Sequence, residues 1–265
     1  MNRGNKNKRK VWKDANEVVK ASIVSKKLKW YEREMLVVPK GEKSKWLGFL
    51  FILHQVELTM YKIYNGDCLE YLKTLKDNEI DVLITDPPYG IGRDKGSYGF
   101  GVAKGRIYKG DWDKKIPSKE IFEEMLRVSK NVIIFGGNYF AHYLPPSKHW
   151  IVWDKKGDIA FKNPFADCEL IYTSYDKVVK KIVFKQQGFI TDSKDKRVHP
   201  TQKPTELMQM LIENYTNEND LILDCFMGSG STGVACMNTN WKFIGIELDN
   251  NYFNIAKERI EEACK

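Results

Sequence analysis

From Tyr61 onward the chain alternates short apolar, β-branched runs with stretches in which apolar positions recur every three or four residues. The short runs predict strands at Lys62–Tyr64, Asp81–Ile84, Val132–Phe135, Trp150–Trp153, Leu170–Thr173, Leu221–Asp224 and Phe243–Glu247. The periodic stretches predict helices at Cys68–Leu75, Ser118–Val128, Thr205–Tyr215, Thr232–Asn238 and Asn250–Ala263, several opened by Ser, Thr or Asn. Strands separated by helices imply a mostly parallel sheet with helices on both faces. Trp150–Trp153 and Leu170–Thr173 have no helix between them, which predicts an antiparallel pair at one edge. Two segments fit no element: Gly90–Pro117, with seven glycines among Arg and Lys residues, and the polar, basic Tyr175–Pro200. Loops of that length inside a compact domain are either functional or disordered.

Charge changes this picture through its location. The net charge is +8, and residues 1–59 hold 14 Lys/Arg against 6 Asp/Glu, whereas residues 60–265 hold 29 against 29. Within the balanced part, residues 93–119 and 148–203 each carry +5 and residues 204–265 carry −6. A high pI alone therefore does not mark the domain as a nucleic-acid binder; the two basic segments within it are the candidate nucleic-acid surface, a solvated charged loop being the alternative for any single Lys. Residues 1–59 read as a basic N-terminal extension with three open readings: an arm adding phosphate contacts, a helical element over Ala15–Leu28, or residues upstream of a start at Met60. Each leaves the extension dispensable for a domain spanning residues 60–265.

The 265 residues suffice for a sizeable core. The five cysteines are scattered without a Cys-x-x-Cys pair, so neither a metal site nor a disulfide framework is expected, and the usage suits a reducing, cytoplasmic compartment. The longest apolar run, Trp46–Leu53, is less than half a membrane span, and no apolar signal segment follows the basic first residues. A soluble, non-exported protein with no membrane partner is the expectation.

Two motifs carry chemistry. Ile84-Thr85-Asp86-Pro87-Pro88-Tyr89-Gly90 ends a strand with a carboxylate, two prolines and an aromatic ring. Asp, Pro and Gly make ordinary turns, so these residues alone fit a plain strand exit equally well. Yet two prolines with no Gly between them stiffen the loop and hold the Tyr ring in place. The second motif, "LILDCFMGSGSTG" over Leu221–Gly233, runs from a strand through Gly228-x-Gly230-x-x-Gly233 into a helix, and Glu247 closes the next strand. Such glycines let backbone approach a ligand, and an acid about 20 residues on can bond ribose hydroxyls. Ser229, Ser231 and Thr232 line the turn and Phe226 could flank the ligand, a dinucleotide or another adenosine cofactor; alone, this half slightly favours NAD. If the strands ending at Ile84 and Asp224 are neighbours, both loops face one crevice at the carboxyl edge of the sheet.

Together these residues resemble the amino-directed DNA methyltransferases, which methylate the exocyclic amino group of adenine or cytosine from S-adenosyl-L-methionine. Asp86–Tyr89 matches their (D/N/S)-P-P-(Y/F/W) signature, and Asp224–Ser231 is similar to D-P-F-x-G-S-G-T, with Cys225 in place of Pro and Ser231 before the Thr. "HPTQKP", His199–Pro204, resembles the segment that precedes the cofactor strand and holds the methionine end, and "NGDCLEYL", Asn65–Leu72, the one whose Asp, here Asp67, lies near the cofactor adenine. The catalytic motif precedes the cofactor motif, as in the permuted beta class. Resemblance covers about Met60–Ala263.

The resemblance implies an S-adenosylmethionine-dependent methyltransferase fold, Rossmann-like α/β, with a seven-stranded mostly parallel sheet, one antiparallel edge hairpin and permuted motif order. It implies a catalytic set of Asp86, Pro87, Pro88 and Tyr89. For the cofactor it implies Asp67, Asp86, His199, Thr201, Lys203, Asp224, Phe226, Gly228, Ser229, Gly230, Ser231, Thr232 and Glu247, with Lys203 on the methionine carboxylate, Glu247 on the ribose and His199 structural rather than catalytic. Without the family pattern, Asp67 reads as a helix cap and Lys203 as a solvated lysine. Implied partners are double-stranded DNA, contacted by loops at about 90–119 and 155–203, a homodimer mate, and a restriction endonuclease acting on the same site. Trp112, Trp150 and Trp153 could stack on bases, core packing being the default for the last two. Asp at the first motif position leans toward adenine; a cytosine enzyme and an NAD-binding oxidoreductase are the alternatives.

Overall fold

The computed structural model describes residues 60–92, 113–158, 166–187, 190–195, 198 and 201–265. The expectations for residues 1–59, Trp112, His199 and residues 93–112 of the first basic loop lie outside these. Chain contacts divide the protein into units at Met1–Leu58 and Thr59–Lys265, and the described residues all belong to the second.

Ten strands and five α-helices run in the order β1 (Tyr61–Asn65), α1 (Cys68–Leu72), β2 (Ile80–Thr85), α2 (Lys119–Val128), β3 (Ser129–Phe135), β4 (Trp150–Asp154), β5 (Cys168–Thr173), β6 (Lys180–Val183), β7 (Gln186–Gln187), β8 (Ile190–Thr191), α3 (Thr205–Tyr215), β9 (Leu221–Asp224), α4 (Ser231–Thr239), β10 (Lys242–Glu247) and α5 (Asn250–Ala263) among the described residues. The main sheet has the order β1-β10-β9-β2-β3-β5-β4-β6, and β7 and β8 form a separate ribbon. Strands β1, β10, β9, β2 and β3 are mutually parallel, so their carboxyl ends share one edge. Alternating residues feed two cores: Val82, Ile84, Ile133 and Phe135 pack with α3, α4 and α5, while Leu83, Val132 and Ile134 pack with α1 and α2.

The sheet has eight strands rather than seven. The antiparallel pair β4–β5 forms as expected, but β5 sits inside, against β3, and β6 adds parallel to β4 outside it. The sequence Lys-Lys-Ile-Val of β6 has no alternation long enough to stand out in a basic stretch. This arrangement decides what reaches the carboxyl edge. Because β5 runs backwards, its first residues, Cys168 and Glu169, lie where the parallel strands end, with Glu169 opposite Trp153.

Candidate active site

Strands β2 and β9 are neighbours, with Val82 opposite Ile222 and Leu83 opposite Leu223. From β2 the chain continues to one side of the sheet and from β9 to the other, which makes this a topological switch point, where open α/β sheets bind ligands. The two motif loops are tied together there. Thr85 donates to Asp224 Oδ1 at 2.7 Å, Thr232 donates to Oδ2 at 2.6 Å, and the Phe226 backbone N–H reaches both Asp224 Oδ1 and Thr85 Oγ1. Asp224 is 3 % exposed, and burial pushes its carboxyl up to about 6 despite the three donors. These bonds make Asp224 a support of the loop from beneath.

Asp86 follows β2 and is only partly buried. Its Oδ1 accepts from the Tyr89 hydroxyl at 2.7 Å and its Oδ2 from Lys203 Nζ at 2.6 Å. Burial raises the Asp86 carboxyl; Lys203 opposes that and a second carboxylate, Glu169, adds to it. Glu169 Oε1 is held by Lys155 at 2.8 Å, and its Oε2 stands 3.4 Å from both Lys203 Nζ and the Tyr89 hydroxyl. Burial would raise Glu169 too, but the two ammonium groups outweigh it and hold the carboxyl down to about 2. Lys203 is kept protonated by Asp86 and Glu169 in spite of burial, and Tyr89 keeps its proton because burial and the same carboxylates raise it well above its usual value. Two carboxylates, two ammonium groups and a neutral phenol thus form one compensated cluster.

The Tyr89 ring is packed on its rigid loop. It stacks on Tyr139 at 4.8 Å and 15°, meets Phe140 edge-on at 6.0 Å, and lies over Gly136 at the end of β3. Gly136 has φ +65°, and a Cβ there would stand 2.3 Å from Tyr89 Cε1, so only glycine fits both backbone and ring. Trp153 is buried, edge-on to Phe135, and donates to the Phe184 carbonyl at 2.8 Å; Trp150 packs against Tyr172. Trp153 belongs to the core, and Trp150 is half-buried against it.

On the cofactor side, Gly228 takes φ +55° and nothing lies closer than 4.0 Å to where its Cβ would be, so this turn is open. Its N–H donates to Glu247 Oε2 at 2.7 Å, and Asp249 N–H donates to Oε1 at 2.8 Å. Burial raises the Glu247 carboxyl against those donors. Each oxygen has a second acceptor position left. Ser229 is buried, its carbonyl and hydroxyl both bonded to Arg259 of α5. Ser231 Oγ is buried without a hydrogen-bond partner among the described residues. An open glycine turn, an unsatisfied hydroxyl at a helix start and a carboxylate at the next strand end fit an adenosyl cofactor. Asp67 caps α1 through Leu69 N–H at 2.8 Å, and Asn65, the last residue of β1, pairs with Glu247, which brings that end of the site to the same edge. Thr201 lies just before Lys203, which is not the solvated lysine that composition suggests. Its charge is matched by Asp86 at 2.6 Å and Glu169 at 3.4 Å.

Glu169, Lys155, Tyr139, Thr85 and Arg259 are site residues the sequence reading missed. Thr85 had a signal, being the residue before the Asp-Pro-Pro-Tyr loop; the others depend on strand pairing and helix packing between distant segments. Among the described residues no group of three or more His, Cys, Asp or Glu could hold a metal, and no helix is long and apolar enough to cross a membrane.

A doubly wound sheet with a glycine-rich turn bonded to an Asp-Pro-Pro-Tyr loop defines a Rossmann-like α/β protein with a ligand site at its switch point. A family profile described as DNA methylase matches residues 134–258. The chain is 30 % identical over 216 residues to the protein of Escherichia coli (strain K12) described as "Putative methylase YubD", covering 76 % of this chain and 90 % of that one. It is 27 % identical over 250 residues to the Type II methyltransferase M2.MboI of Moraxella bovis, covering 76 % and 88 %. The crystal structure of the M1.HpyAVI-SAM complex superposes with a TM-score of 0.50 at 26 % identity, covering 76 % of this chain and 99 % of that one. The chain belongs to the amino-directed DNA methyltransferases, acting on adenine N6 or cytosine N4. The oxidoreductase alternative falls with that assignment.

Proposed function

We propose that the protein methylates the N6 amino group of an adenine flipped out of double-stranded DNA, with S-adenosyl-L-methionine as donor. The observation that supports this is the Thr85–Asp224–Phe226 hydrogen-bond tie, which joins the loop carrying Asp86 to the segment leading into the glycine-rich turn. When bound, the cofactor supplies an electrophilic methyl group: the amine lone pair forms the new C–N bond as the C–S bond breaks and sulfur keeps its electron pair. An exocyclic amine is a poor nucleophile because its lone pair is delocalised into the ring. Asp86 and the Pro87 carbonyl accept its two hydrogens, which favours a pyramidal nitrogen with a directed lone pair. One amine proton then leaves, with Asp86 the nearest base. Pro87 and Pro88 keep the acceptors fixed, so little reorganisation is needed at the moment of transfer.

Flipping costs a few kcal/mol of stacking. Tyr89 offsets part of it when the base takes the place on its ring that the exposed Tyr139 occupies, since stacking a base on an aromatic ring contributes about 1–3 kcal/mol. Glu247 bonds the ribose, Asp67 lies toward the adenine of the cofactor, and the turn from Gly228 to Thr232 surrounds its middle, with Ser231 Oγ supplying an unused donor. Adenine is favoured over cytosine because Asp opens the motif at Asp86. Incubation of DNA with methyl-labelled cofactor, followed by nucleoside analysis, tests the proposal. Labelled N6-methyl-2′-deoxyadenosine should appear with wild type and vanish with Asp86→Ala, which should stay folded and bind cofactor. Labelled N4-methylcytosine would overturn the adenine reading, and a fully active Asp86→Ala variant would overturn the mechanism.

A further inference from the structure

We propose that Glu169 is a positioning residue that draws Lys203 away from Asp86 Oδ2 as the target amine arrives, and so frees the acceptor that the reaction needs while Tyr89 stays on Oδ1 and orients the carboxylate. The proposal rests on the amino-methyltransferase reading. Its starting point is that both Asp86 oxygens are taken by short bonds, from Tyr89 at 2.7 Å and from Lys203 at 2.6 Å. Bonds of that length to a carboxylate are strong and directional. An incoming amine must compete with them on the same two atoms, and an ammonium clamped on Asp86 weakens its pull on the amine hydrogens.

Glu169 supplies the alternative. Its Oε2 is 3.4 Å from each of the two donors, long for a hydrogen bond but roughly 0.6 Å from a normal one. Its Oε1 is fixed at 2.8 Å by Lys155, at the end of the strand that pairs with β5, so the carboxylate waits in place rather than following Lys203. Glu169 and Lys155 are both largely buried, with side chains 17 % and 12 % exposed, so solvent screens these charges little. A short movement of Lys203 then exchanges one carboxylate for another at nearly constant electrostatic energy. Without Glu169, Asp86 is the only carboxylate described within reach of Lys203, and the clamp cannot open cheaply.

The test is a double-mutant cycle of Glu169→Gln and Lys203→Met, read as single-turnover methyl transfer at saturating DNA and cofactor. Glu169→Gln should lower the rate about 100-fold, the usual scale for a misplaced catalytic group, with KM for DNA and cofactor nearly unchanged. In the Lys203→Met background the same substitution should cost little, because there is no ammonium left to divert. Glu169→Asp, which keeps the charge, should recover part of the rate. Equal loss in both backgrounds, or loss confined to KM or to melting temperature, would overturn the role. A second readout needs no turnover. The groups facing Asp86 are Tyr89, Lys203, Glu169 and, through the loop tie, Asp224. Titration of the carbon-13-labelled Asp86 carboxyl in the free enzyme should move to lower pH in Glu169→Gln, since a neighbouring negative charge is gone and Lys203 binds Asp86 alone. An unmoved titration would overturn the proposal whether or not the wild type methylates DNA, while absent methylation with the expected titration shift would strike at the proposed function alone.

Discussion

Replacing Gly136 by Ala puts a methyl group where the Tyr89 ring lies. The added carbon would stand 2.3 Å from Cε1, 2.5 Å from Cζ and 2.9 Å from Cδ1. Carbon atoms meet without repulsion at about 3.5–4.0 Å, so the ring must withdraw by more than about 1 Å. Tyr139, stacked on it at 4.8 Å, limits where it can go, and the 2.7 Å bond from its hydroxyl to Asp86 cannot survive such a shift. The backbone adds its own strain, since an L-residue in the left-handed region costs roughly 1–2 kcal/mol. For a domain of this size that is about 2–8 °C of melting temperature. The catalytic effect should be larger in proportion: a displacement of about 1 Å in the group that orients the acceptor costs about 100-fold in rate. Melting by circular dichroism and single-turnover transfer of a labelled methyl group, run on the same preparation, separate the two. A folded Gly136→Ala enzyme turning over at the wild-type rate would refute the claim that ring position governs Asp86.

Glu247→Ala should weaken cofactor binding by at least about 10-fold, the loss of one charged hydrogen bond at roughly 1.5 kcal/mol or more, with DNA affinity unchanged; calorimetry with each ligand alone checks it, and parallel losses would mean the acid is misplaced. Asp224 has a folded pKa of about 6, above its ordinary value of 3.8. A raised carboxyl binds its proton more tightly in the folded state, so its contribution is favourable below pH 4 and is lost as pH rises through 6. The shift is worth about 3 kcal/mol. Denaturant unfolding should therefore show wild type losing ground to Asp224→Asn between pH 4 and pH 7; a constant difference across that range would sink the assignment. A chain beginning at Met60 should fold, bind cofactor and methylate the same sites, with any loss of DNA affinity largest at low salt; loss of the cooperative melt would make residues 1–59 part of the working enzyme.

What could be read from the sequence was what is contiguous in it. Asp86–Tyr89 and Gly228–Glu247 each carry strand, turn and acid within a short stretch, and their meeting needed only one inference, that β2 and β9 are neighbours. Helices α2, α3 and α5 announce themselves by periodicity over ten residues or more. Glu169 and Lys155 gave no local sign, because their place follows from the register that sets Glu169 opposite Trp153. Strand β6 was hidden by its lysines, and Tyr139 sits in a Gly-Asn-Tyr turn that reads like any other. Asp224 and Lys203 stood out in their motifs, but their internal partners, Thr85 for the one and Asp86 and Glu169 for the other, lie in distant segments and become visible only in the fold.

The bond from Thr85 to Asp224 spans 139 residues of sequence and joins the two halves of the site beside the pairing of β2 with β9. No peptide continuity runs through the pocket. Helix α5 meanwhile packs against β1, so the end of the domain lies near its beginning. The pocket is accordingly indifferent to which half the ribosome makes first. A chain opened between β8 and α3, with α5 spliced onto β1 by a short linker, would have every neighbour of Asp86 and Glu247 unchanged. Gene rearrangements that reverse the order of the two halves are therefore open to this architecture without any intermediate in which the site must be rebuilt.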